Sequence, residues 1–164
     1  MAIPTFVAAG TYVSTTLGTL TPGLPSGWAI DDILIITHFS RSGPGTAPTG
    51  YAEIISGGEA MSGASGRVQV YWKRAVSGET AQVIGAVGNA CAQMVAYRGC
   101  KTTGDFFEAA VGGVQNTAGT SFSSTGLTTL GADRLYWCSV GRSGDDTNPQ
   151  FSSWASTNAS NVLE

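Results

Sequence analysis

The run Ile33-Leu34-Ile35-Ile36-Thr37-His38-Phe39 constrains the fold more than any other part of the sequence. It is too short for a core helix, rich in β-branched side chains, and apolar at odd and even positions alike. That pattern belongs to a strand buried on both faces. A chain holding such a strand needs packed layers on either side of its sheet. Asp31-Asp32 leads into the run, and Arg41-Ser42-Gly43-Pro44-Gly45 ends it with a turn signal.

The rest of the chain repeats this arrangement of short strands and turns. Thr5 to Tyr12 and Thr16 to Thr21 read as opening strands, closed by Pro22-Gly23 and Pro25-Ser26-Gly27. A loop through Pro48-Thr49-Gly50 leads to Tyr51-Ala52-Glu53-Ile54-Ile55, and the glycine-rich stretch Gly57 to Gly66 reads as a connection. Arg67 to Val76 alternates: Val68, Val70 and Trp72 are expected on a core face, with Arg67, Gln69, Tyr71 and Lys73 on a wetter one. Ala90 to Arg98, stopped by Gly99, is expected to be a central strand. Further strands are expected in Val111 to Gln115, Thr120 to Leu130 and Asp133 to Val140, and no segment has the length and caps of a long helix.

A length of 164 residues suits one domain, here 1–164. The 42% apolar content excludes a disordered chain, and 23 glycines fit many turns. Charged residues make up only 12%, about half the usual share, so the surface is expected to be Ser, Thr, Gly and Asn, in part covered by other subunits. A net charge of −3 with no Lys/Arg-rich run argues against nucleic acid as a partner. Neither a secretory signal nor a membrane-spanning apolar stretch is present in the sequence. Cys91, Cys100 and Cys138 lack metal-ligand spacing and are expected to be buried thiols.

A shift of 101 residues lays Asp32 on Asp133, Leu34 on Leu135, Arg41-Ser42-Gly43 on Arg142-Ser143-Gly144, Thr46 on Thr147 and Pro48 on Pro149. The echo suggests two related β-units, a first half at about 1–100 and a second at about 101–164, stacked as a jelly-roll-like antiparallel β-sandwich. In that register Glu164 falls before the second copy of the strand at Arg67. The sandwich is therefore expected to take its last strands from further chain or from a neighbour.

No catalytic set emerges. His38 is the sole histidine and lies inside the apolar run, where a core role is expected. Asp31 and Asp32 could be imagined as a glycosidase pair, but neighbours on a strand point to opposite faces. Asp145-Asp146-Thr147-Asn148 clusters oxygen ligands without EF-hand spacing, and no phosphate-binding glycine motif occurs, so neither metal nor cofactor is expected. Asn158-Ala159-Ser160 is read as a chance glycosylation match. Trp72 and Trp137 are expected in the core; Trp28, Tyr51 and Trp154, near loops, are the candidate residues for contact with a glycan or partner.

One order of signals is distinctive. An opening strand precedes Pro22-Gly23, Gly27-Trp28, Asp32-Ile33-Leu34, Pro48-Thr49-Gly50-Tyr51, Tyr71-Trp72-Lys73-Arg74-Ala75 with Gly78-Glu79, and Ala96-Tyr97-Arg98-Gly99. This order resembles a β-sandwich module of tailed bacteriophages, over Pro4 to Gly99 and more weakly to Val140. The likeness implies a non-enzymatic virion protein, either capsid decoration (cement) or a tail-fibre or tail-tip component, with a glycan-binding adhesion module as a further alternative. Its implied partners are major capsid or tail proteins and copies of itself, a trimer being one such form, with no nucleic acid and no membrane.

Overall fold

The computed structural model describes residues 3–60, 66–110, 112, 127, 128, 130 and 134–139. Its strands are β1 (Thr5–Ala9), β2 (Val13–Leu20), β3 (Ile33–Ser40), β4 (Ala52–Glu53), β5 (Glu59–Ala60), β6 (Arg67–Arg74) and β7 (Ile84–Arg98). The described residues contain no helix. All pairings are antiparallel, in the order β1-β7-β3-β6-β4, with β2 also on β7 and β5 also on β6. The all-β antiparallel architecture agrees with the sequence. Most of the expected strands Val111 to Gln115 and Thr120 to Leu130, and all of Arg142-Ser143-Gly144, Asp145 to Asn148, Trp154 and Asn158 to Ser160, lie outside the described residues.

Strand β3 sits in the middle because its apolar side chains serve two cores. Ile36 stands between Tyr71 of β6 and Met94 of β7, and these three, with Leu20, Leu34, Tyr51, Ile84, Ala92 and Ala96, form the main core. One residue earlier, Ile35 stands between Trp72 and Val95, pointing the other way. Ile33, Ile35, Tyr97 and Cys100 build a second core there, with Val70, Trp72, Phe106, Leu135 and Trp137 packed on it. Ile33, Leu34, Ile35 and Ile36 are each 0% exposed.

The second core corrects the reading of β6. Gln69 and Tyr71, expected on a wetter face, are 2% and 0% exposed, while Val70 and Trp72 are only partly buried. Polar character misled because the hydroxyl and amide of these residues are hydrogen-bonded inside the fold. Trp72 instead meets Phe106 at 5.1 Å between ring centres, and Tyr97 meets Trp137 at 5.8 Å. Residues 134–139, expected within a strand, carry none; they lie over the second core, where the Thr37 and Ser139 hydroxyls are 3.2 Å apart. Cys100 is buried as expected, but Cys91 is half-buried and Cys138 exposed.

Strand β7 starts at Ile84 rather than at Ala90. Its extra length runs through Gly85 and Gly88, where the loop after β3 lies directly on the strand. A Cβ at Gly88 would stand 2.7 Å from the Ser42 hydroxyl, and one at Gly85 2.6 Å from the Thr46 Cβ. On its other side β7 pairs with β1 and β2, which follow each other end to end from Thr5↔Arg98 to Leu20↔Ile84. Register shifts between Phe6 and Ala8 and between Gly18 and Leu20 curl the sheet at this margin.

Candidate functional site

Asp31 is exposed and left-handed (φ 71°), whereas Asp32 is 2% exposed and points into the fold. Arg98 grips Asp32 with a fork: Nε donates to Oδ1 at 2.9 Å and Nη2 to Oδ2 at 2.7 Å. The Ala29 amide donates to the same Oδ2 at 2.7 Å, and Arg98 Nη2 also donates to the Gly27 carbonyl at 2.9 Å. The two aspartates therefore share no site. Asp32 instead binds the Gly27–Ala29 turn to the end of β7, just where the main core begins. Asp32→Asn is expected to cost about 1–2 kcal/mol, the difference between charged and neutral hydrogen bonds at a buried acceptor. Urea denaturation checks it; an unchanged midpoint would refute the role.

His38, 0% exposed, is the second such group. Its Nδ1 lies 3.2 Å from Gln69 Oε1, its ring stacks on Tyr71 at 6.2 Å, and Nε2 has no protein partner. Gln69 Oε1 also accepts from the Gly45 amide at 2.7 Å, while Gln69 Nε2 donates to Glu53 Oε1 at 2.7 Å. The amide oxygen thus faces His38, which makes Nδ1 the protonated nitrogen. Burial lowers the His38 pKa, opposed by the Gln69 hydrogen bond and the Glu53 charge. The imidazole is closed off from solvent and engaged by Gln69 and Tyr71, a position that ties β3 to β6.

Tyr51, a candidate for ligand contact, is 8% exposed and belongs to the main core. Its hydroxyl donates to the Met94 sulfur at 3.7 Å, and the Lys73 ammonium lies 5.9 Å from its ring centre. Lys73 in turn pairs with Glu79 at 2.7 Å, so Gly78-Glu79 anchors the turn after β6 to the strand. Tyr51 therefore offers no ring face to a ligand. Trp28 is half-buried and packed against the main core, and the structure does not join it to Tyr51 in an open platform. Trp154 lies outside the described residues.

A concave surface does exist, on residues that sequence reasoning passed over. Tyr12, Ser14, Thr15, Thr16, Phe39, Arg41, Asn89, Ala90 and Cys91 line an open depression of about 370 Å³. Register explains the grouping: Cys91 of β7 stands between Ser14 of β2 and Phe39 of β3. Two residue pairs on, the Arg41 amide donates to the Asn89 carbonyl at 3.1 Å. No shared sequence pattern marks these residues, because strand pairing alone brings them together. Among the described residues no three His, Cys, Asp or Glu side chains converge as metal ligands would. No family model, no curated protein and no solved structure matches this chain.

Proposed function

We propose that the chain is a structural virion protein of a tailed phage, displayed on the particle surface as capsid decoration. The observation that carries this reading is the use made of the residues behind the phage-like order of signals. Asp32 and Arg98 bind each other, Lys73 binds Glu79, and Tyr51 fills the core. These motif residues serve the scaffold, as expected of a module whose work is to be rigid and to be covered. Phe6, Leu17, Ile30, Val76 and Val83 are each at least half exposed on a surface poor in charge, which suits burial against capsid proteins or further copies of the chain. The finer architecture we propose is a jelly-roll-like sandwich, with chain beyond residue 100 supplying the second layer. In its favour, Phe106, Leu135 and Trp137 already lie over the second core.

Mass spectrometry of gradient-purified particles from the source of this sequence tests the assignment. Many copies per particle, with antibody labelling spread over the head, are expected. Labelling confined to the tail would replace the decoration role by a fibre or tip role, and absence from particles of cells that express the protein would end both.

A further inference from the structure

The second sheet face is covered in a definite direction. Odd-numbered side chains of β3 lie on it, from Ile33 and Ile35 through Thr37 to Phe39, and Arg41 continues the alternation just past the strand. The cover follows the same order. Leu135 and Trp137 pack over Ile33, Ile35 and Tyr97, with Trp137 meeting Tyr97 at 5.8 Å, and Ser139 stands beside Thr37. The Trp137 indole N–H also donates to the Ser139 hydroxyl at 2.8 Å, which holds these two side chains together. At Ser139 the chain is therefore directed along β3 towards Phe39 and Arg41, which line the depression with Tyr12, Ser14, Asn89 and Cys91. We propose that this depression is the seat of the chain's own residues 140–146, with Asp145 and Asp146 brought against the Arg41 guanidinium.

Reach, charge and lining agree on that occupant. Thr37 and Arg41 are separated by about 13 Å at a strand's usual rise. Asp145 lies six residues past Ser139, a stretch that extends to about 20 Å, so the acids reach Arg41 with chain to spare. Gly141 and Gly144 fall within that stretch and let the slack bend around a curled sheet. Arg41 is the one charged side chain of the lining, and Asp145 and Asp146 are the first acids after Ser139. A carboxylate on the Arg41 guanidinium repeats, at the exit of β3, the device that Asp32 and Arg98 form at its entry. The rest of the lining suits a segment rich in Gly and Ser. Tyr12 and Phe39 offer apolar surface, while Ser14, Thr16 and Asn89 can donate to or accept from a passing backbone. The inference narrows the two-layer reading above to one segment and one ion pair, and it does not depend on the virion assignment.

The test uses the full-length chain in solution. Thr147→Cys combined with Cys138→Ser sets one new thiol just past the acids, and Cys91 in the depression supplies its partner. A short bismaleimide is expected to join the two within one molecule, about tenfold more often than in urea-unfolded protein, as peptide mass mapping reads. In the otherwise unaltered chain, Arg41→Glu is expected to speed alkylation of Cys91 about fivefold, because reactivity follows the undocked population. Asp145→Lys with Asp146→Lys should do the same. Combining all three changes restores opposite charges and should return the rate to that of the unaltered chain, a recovery that a general loss of fold would not give. Links between two molecules in place of one would assign the seat to a second copy. A protected Cys91 that ignores the charge changes, or is not recovered by the swap, would assign the cover to another segment and leave the two-layer reading standing. Cys91 as reactive as in unfolded protein would remove both. Each of these results overturns the proposal.

Discussion

Gly10→Ala is expected to destabilise the protein by about 3 kcal/mol or more, at the upper end of what inserting one methyl group into packed structure costs. Gly10 lies between β1 and β2, where the chain crosses the loop at Pro22-Gly23. A Cβ there would overlap the Gly23 carbonyl. Neither side can retreat, because the Gly10 amide donates to the Met94 carbonyl at 2.8 Å and the Gly23 amide donates to the Thr11 carbonyl at 3.0 Å. The penalty is steric and not conformational, which Gly78→Ala separates. Gly78 has φ 82° and open space around its Cβ position, so its cost is the roughly 1–2 kcal/mol of placing a side chain in the left-handed region. Urea unfolding followed by circular dichroism reads both. Equal losses, or a smaller loss at Gly10, would show that the approach of the two segments does not constrain the fold. Because Tyr12 follows two residues later, a soluble Gly10→Ala protein should also show displaced Tyr12 resonances.

The same crossing shows what the sequence could and could not reveal. Strand β3 was legible, since a run apolar on both alternations admits few alternatives, and its two-sided burial is what the structure holds. The position of β7 was legible only from Ala90 onward. Glycine weakens a strand signal, yet Gly85 and Gly88 are the places where the loop after β3 needs contact with bare backbone. Strand β6 was placed correctly, but its faces were ranked by polarity, and the network joining Gln69, Tyr71 and Gly45 depends on partners 24 and 26 residues away. Tyr51 shows a related effect. Proximity to a loop suggested exposure for Tyr51, whereas the Pro48-Thr49-Gly50 turn folds it back onto Met94. The depression at Tyr12 and Asn89 has no local signal at all, because it is assembled from three strands far apart in sequence.

As pH falls below about 6.5, the protein is expected to lose stability at up to about 1.4 kcal/mol per pH unit through His38 alone, until the lower folded-state pKa is reached. The sign follows from the lowered pKa. The unfolded chain takes up a proton on His38 as pH drops through about 6.5, the ordinary value, while the folded chain resists until its own lower pKa is reached. Stability from this group is therefore complete above the ordinary histidine pKa and declines across the interval between the two values. The resistance is geometric. Among the described residues, the polar groups around the ring are already committed: Gln69 on β6 accepts from Nδ1, Glu53 on β4 is bonded to Gln69 Nε2, and Tyr71 donates to the Gly45 carbonyl. A second proton would sit on Nε2, buried and without a protein acceptor. Glu53 partly offsets that cost from a distance but does not touch the ring nitrogen. His38→Gln keeps a donor for Gln69 and removes the titration, so its unfolding free energy should be lower at pH 7 and nearly flat down to pH 5. If the wild-type and variant curves run parallel through that interval, the buried imidazole is not what makes the fold acid-sensitive.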